Sequence, residues 1–115
     1  MSEHYHNASD LRFLKEMAKV APNEFSAWLA LDQTVGSNTG AIPTRVRELI
    51  AVAVACTTQC PYCIEIHVKA AHAAGASAAE VAEAALIAAA LRAGAAATHG
   101  ALAMKFYEAA DRVAV

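Results

Sequence analysis

A chain of 115 residues has room for one domain, here 1–115, with a core of limited size. It is 57% hydrophobic and only 17% charged, with a net charge of −2. No basic run or aromatic-basic interleaving occurs, so nucleic acid is not an expected partner.

The polar start, MSEHYHNASD, lacks an apolar leader core, and His4 and His6 within it are expected to be disordered. Ser9 or Asp10 is placed to cap a first helix to about Val20, with Leu11, Leu14 and Met17 on one face. Pro22 ends it. Asn23 is placed to cap a second helix whose apolar residues are Phe25, Trp28, Leu29 and Leu31. Residues 36–40, Gly-Ser-Asn-Thr-Gly, form the clearest loop. Thr44 then caps a third helix to about Cys56, with Leu49 to Cys56 apolar on all sides as in a buried central helix. Its valines leave a strand as the competing reading. Thr57 to Gln59 read as a connection. Cys60 follows at an N-cap with Pro61 at N1, where its missing N–H costs nothing. That helix runs to His72 or Ala74 and is stopped by Gly75. Ser77 and Glu80 form a capping box opening a long helix, with Gly94 as a break and a final helix to about Arg112. An all-α domain without repeats is expected.

The most apolar stretch, 82–97, is interrupted by Glu83, Arg92 and Gly94, so no membrane span is expected. A soluble, cytoplasmic protein follows, in which cysteines serve redox or metal chemistry more often than structural disulfides. The 31 alanines and the apolar excess point to a homo-oligomer, because so small a monomer would leave much of it exposed.

The densest chemistry lies at Cys60-Pro61-Tyr62-Cys63, with His67 four residues on and Glu48 twelve before. Two cysteines three apart can close a disulfide. At N-cap and N3 both sulfurs face free N–H groups and the positive end of the helix dipole, which favours thiolate. Such settings bring a cysteine pKa from about 8.5 to about 3.5–7.5. His67 shares the helix face of Cys63 and can take its proton. Glu48, an acid in a strongly hydrophobic stretch, suits a general base. Its plain structural alternative is an ion pair with Arg45 or Arg47. Adding Cys56 makes Cys56, Cys60, Cys63 and His67 a candidate zinc set, and the alternative to an enzyme is a non-enzymatic redox or zinc-binding sensor that uses these four residues. The CxxxCxxC spacing matches the cluster triad of radical S-adenosylmethionine enzymes, but those need a large α/β barrel. Cys-Pro-Tyr-Cys is also the glutaredoxin dithiol, but that fold needs a βαβ setting and a later cis-proline, and no proline follows Pro61. Lys69, His72 and His99 read as surface, core or interface residues, and Phe25, Trp28 and Phe106 as core.

Glu48 with Cys60-x-x-Cys63-x3-His67 resembles the signature of AhpD-like alkylhydroperoxidases of the carboxymuconolactone decarboxylase superfamily, over about residues 43–100. The resemblance implies an all-helical domain assembled into trimers or hexamers. It implies Cys63 as the peroxide-attacking cysteine, Cys60 as the resolving one, His67 as a proton relay and Glu48 as the base behind it. Tyr62 departs from the histidine of the best-studied members; its hydroxyl keeps a hydrogen bond but is a poor base near neutral pH. The decarboxylase branch lacks the cysteine pair, so decarboxylation is not expected. The implied function is a cofactor-free hydroperoxide reductase recycled by an external dithiol, lipoyl- or thioredoxin-like.

Overall fold

A computed structural model of the chain describes residues 5–112. A 3-10 helix, Ala8–Phe13, leads into α1 (Leu14–Val20), α2 (Pro22–Val35), α3 (Thr44–Thr58), α4 (Pro61–Ala73) and α5 (Ala78–Ala110). No strand occurs among the described residues, so the valine-rich stretch of α3 is helical and the domain is all-α. His4 lies outside the described residues.

The starts of the first three helices differ from expectation by a few residues, each for a local reason. Asn7, not Ser9 or Asp10, is the first cap. Its side chain accepts from the Ser9 N–H at 3.0 Å, while the Asp10 carboxylate accepts from the Asn7 N–H at 2.7 Å. Pro22 takes the first position of α2, which makes Ala21 the flanking residue in place of Asn23. Pro43 likewise occupies the cap position of α3, so Thr44 is its first helical residue. That helix continues to Thr58, and the hydroxyls of Thr57 and Thr58 donate back to the Val54 carbonyl at 2.7 and 3.1 Å. Gln59 alone makes the connection to α4, in the left-handed region at φ 58°.

Gly75 leaves α4 at φ 93°, and Ser77 and Glu80 form the expected capping box. Gly94 does not break α5, which runs unbroken for 33 residues. A single glycine costs about 1 kcal/mol in a helix, and the alanines around it more than carry the segment.

The bundle is built around α3, which packs on α4 and on the first half of α5. Arg45 is ion-paired with Glu80, and Arg92 donates to the Thr57 carbonyl at 2.9 Å. Both clasps span 35 residues, so α3 and α5 run parallel in one register. The buried residues among those described are Val52 and Ala55 of α3, Ala71 of α4, Ala76, and Ala88 of α5. Small side chains thus let the three backbones approach closely. The rest of α3 is less enclosed than expected, because Ile50 and Val54 are half exposed. Phe25 is half buried, and Trp28 and Phe106 are exposed rather than core residues.

α1 and α2 pack mainly on each other, and the far half of α5 has no substantial neighbour. The radius of gyration is 19.7 Å, against about 13–14 Å for a compact domain of this size. By length and composition alone α5 is long and apolar enough to cross a membrane, a test that the core helix of a soluble protein also passes. The helix passes straight through Gly94, and Arg92 is the only charged residue between Glu83 and Lys105.

Candidate redox site

The left-handed turn at Gln59 brings the chain back sharply, with the Cys60 N–H donating to the Ala55 carbonyl at 3.1 Å. Cys60 is left extended at the N-cap of α4, with Pro61 at N1. Its Sγ accepts the Cys63 N–H at 3.2 Å, so a sulfur does what a serine or aspartate oxygen does at other helix starts. Cys60 and Cys63 are joined as a disulfide with their Cα atoms 5.3 Å apart, inside the usual range of about 4.4–6.8 Å. Both residues are half buried.

His67 lies one turn beyond Cys63 on α4. Its Nδ1 is 2.6 Å from Oε2 of Glu48 on α3. The Glu48 side chain is 15% exposed and that of His67 32%, so the contact is shielded but reachable. With Glu48 ionised, Nδ1 carries the proton and donates it, which leaves Nε2 free as an acceptor. The arginine alternative for Glu48 does not hold. Arg45 is turned toward α5 and pairs with Glu80. Arg47 donates to the backbone carbonyls of Ile42 at 2.9 Å and Val35 at 2.5 Å. It thereby pins the 36–43 loop over α3. Gly40 is part of this arrangement, since a Cβ there would overlap the Arg47 guanidinium.

A cleft of about 350 Å³ opens onto the His67–Glu48 pair. Val35, Ile42, Ile50 and Ala51 give it apolar walls, with Asp32 and Arg47 as its other charged groups. Neither cysteine is among its walls.

Tyr62 is used structurally. Its hydroxyl donates to Oδ2 of Asp10 at 2.8 Å, and the His6 ring stands edge-on to its ring with centroids 6.3 Å apart. His6 is therefore placed against the redox helix, contrary to expectation. The Tyr62 hydrogen bond, followed by that from the Asn7 N–H, holds the Asp10 carboxyl below its ordinary value of 3.8. The same bond to Asp10 pushes the Tyr62 phenol above its ordinary 10.0. The lowered Asp10 value stabilises the fold above about pH 4, and this contribution is lost as pH falls through the folded value. The raised Tyr62 value stabilises it below about pH 10, and this is lost as pH rises through the folded value. Asp10→Asn is therefore expected to lower stability by a constant amount between those limits and by less in acid. Denaturant titrations across pH check this; a deficit that persists unchanged at the acid end would refute the latch.

The four candidate zinc ligands are not gathered. Cys60 and Cys63 are bonded to each other and His67 Nδ1 is taken by Glu48. Cys56 is a half-buried free thiol on α3. No group of three or more His, Cys, Asp or Glu poised for a metal occurs among the described residues. Lys69 pairs at 3.6 Å with Glu65, and His72 and His99 are exposed. Asp10 and Arg47 are the residues that motif reading missed. Asn7-x-x-Asp10 signals a capping box, but nothing in the spacing ties Asp10 to a tyrosine 52 residues away.

The sequence profile of the carboxymuconolactone decarboxylase family matches residues 22–106. The chain is also 43% identical, over 98 residues, to a Paracoccus denitrificans protein described as uncharacterized protein 4 in cox locus. That match covers 85% of this chain and 87% of the relative. An all-helical domain with a CxxC pair at a helix start, matched over most of its length, belongs to the carboxymuconolactone decarboxylase family, which includes AhpD-like proteins.

Proposed function

We propose that the protein is a thiol-dependent peroxidase and disulfide oxidoreductase that reduces organic hydroperoxides without a bound cofactor. The observation that carries this reading is the Glu48–His67 hydrogen bond one helical turn beyond a closed Cys60–Cys63 pair. In the reduced protein, His67 Nε2 accepts the Cys63 thiol proton and Glu48 steadies the resulting imidazolium. The thiolate attacks the terminal oxygen of the hydroperoxide. The O–O bond breaks, an S–O bond forms, and the departing alkoxide takes the proton to leave as alcohol. The Cys60 thiol then condenses with the Cys63 sulfenic acid, releasing water and forming the disulfide. An external dithiol, lipoyl- or thioredoxin-like, returns both thiols by exchange and leaves as its own disulfide.

The apolar cleft beside the relay suits a hydrophobic hydroperoxide tail. Such a cycle fits a soluble protein, as is typical of the family, in the reducing cytoplasm.

One equivalent of an organic hydroperoxide is expected to convert reduced protein from three titratable thiols to one, with one equivalent of alcohol formed. The remaining thiol is Cys56. Added dihydrolipoamide or reduced thioredoxin should make the reaction catalytic. Three thiols surviving the peroxide, with no alcohol, would refute the proposal.

A further inference from the structure

Arg47 and Glu48 are consecutive on α3, and both line the cleft beside the relay. Glu48 turns to His67. Arg47 reaches back to the end of α2 and to the loop before α3. There its Nε donates to the Ile42 carbonyl at 2.9 Å and its Nη1 to the Val35 carbonyl at 2.5 Å. Val35 and Ile42 are themselves apolar walls of the cleft. One planar guanidinium thus ties together two points of the chain that a loop would otherwise leave independent. Gly40 lies against the guanidinium so closely that a Cβ there would overlap it.

The charge of Arg47 is not spent on a carboxylate. It forms no ion pair among the described residues, although the acids Asp32 and Glu48 line the same cleft. With its donors turned to carbonyls, and two acids against one cation, the cleft is a poor host for an anionic group. It is a good host for an apolar one. Ile42 and Ile50 are 42% and 47% exposed, so a tail lying against them would leave water and cover them. A volume of about 350 Å³ is near the small end of ligand sites, which suits a compact tail rather than a long chain.

We propose, on the peroxidase reading above, that Arg47 is a positioning residue that sets substrate specificity. By clasping Val35 and Ile42 it holds the apolar wall around a compact, uncharged hydroperoxide tail, and tails that carry a carboxylate are turned away. The peroxide end passes His67 to reach Cys63, one turn before it on α4. Arg47 touches no reacting atom and acts through the wall that it holds.

The test compares hydrogen peroxide, which has no tail, with cumene hydroperoxide and with cumene hydroperoxide bearing a para-carboxylate, each reduced at the expense of dihydrolipoamide. In the native protein kcat/KM should be at least about tenfold higher for cumene hydroperoxide than for either of the others, the scale of a few apolar contacts. Arg47→Met should lower the preference for cumene hydroperoxide over hydrogen peroxide by about tenfold, through KM rather than kcat. Arg47→Lys should fall between the two, because an ammonium group cannot span both carbonyls as the planar fork does. Asp32→Asn should raise kcat/KM for the carboxylate substrate relative to the other two. If Arg47→Met fails to fold by circular dichroism, Ile42→Ala decides, since it removes part of the wall, keeps the guanidinium, and should lose the same preference. Equal turnover of all three substrates by the native protein, or variants that lower kcat/KM for all three alike, would overturn the specificity role and leave the peroxidase reading standing. No turnover of any of the three, with all thiols surviving, would overturn both.

Discussion

Cys63→Ser is expected to abolish peroxide-driven oxidation, and Cys60→Ser to stop turnover after its first step. The two sulfurs share a helix start but not a role. Cys63 lies one turn from His67, the residue held by Glu48, so only its proton has an acceptor placed along the same helix face. Cys60 Sγ is already engaged by the Cys63 N–H, as a cap. Without Cys60 there is no neighbouring thiol to condense with the sulfenic acid. Cys60→Ser should therefore consume one equivalent of peroxide and accumulate a sulfenic acid trappable by a cyclic dione and visible by mass spectrometry. Cys63→Ser should do neither. If Cys63→Ser forms the trapped adduct and Cys60→Ser does not, the two roles are reversed.

Glu48→Gln and His67→Gln are each expected to slow disulfide formation by about 100-fold, the lower end of what a positioned proton-transfer group contributes. The double variant should be little slower than either single one, because a base and the group that orients it act as a unit. Glutamine at 48 can still receive a hydrogen bond but carries no charge to balance an imidazolium. Stability should change less than reactivity, since one hydrogen bond in a partly solvated contact is worth only about 1 kcal/mol. Oxidation rates of the three variants, with the pH dependence of thiolate ultraviolet absorbance, check this. Losses that multiply in the double variant would mean two independent residues. A Glu48→Gln protein that unfolds yet reacts normally when folded would make the pair purely structural.

The redox helix was the most legible part of the chain. Cys60-Pro61 marks a helix start by two independent preferences, Gly75 marks its end, and Ser77 with Glu80 marks the next start. Each signal is local and acts within a few residues. The Glu48–His67 pairing was also readable as a possibility, but choosing His67 over the arginines needed the directions in which Arg45 and Arg47 leave α3. The Asp10–Tyr62 bond had no local signature, because it depends on how the N-terminal 3-10 helix settles against α4. Gly94 misled because a lone glycine is a weak breaker among alanines. Burial misled for Trp28 and Phe106, since an apolar residue shows that a surface needs covering but not what covers it.

The alanine-lined centre has a consequence for variation. In most cores the damaging change is a large residue trimmed to a small one, which leaves a void. Here Ala55, Ala71, Ala76 and Ala88 offer nothing to trim. The sensitive direction is enlargement, because an added methyl group has no rotamer to move aside and must separate helix backbones. Such a separation would be felt first where α3 and α4 face each other, at the 2.6 Å contact between Glu48 and His67. Ala71 lies one turn beyond His67 on α4 and is fully enclosed. Enlarging Ala71 is therefore expected to lengthen the Glu48–His67 contact as well as to loosen the packing of α3 on α4.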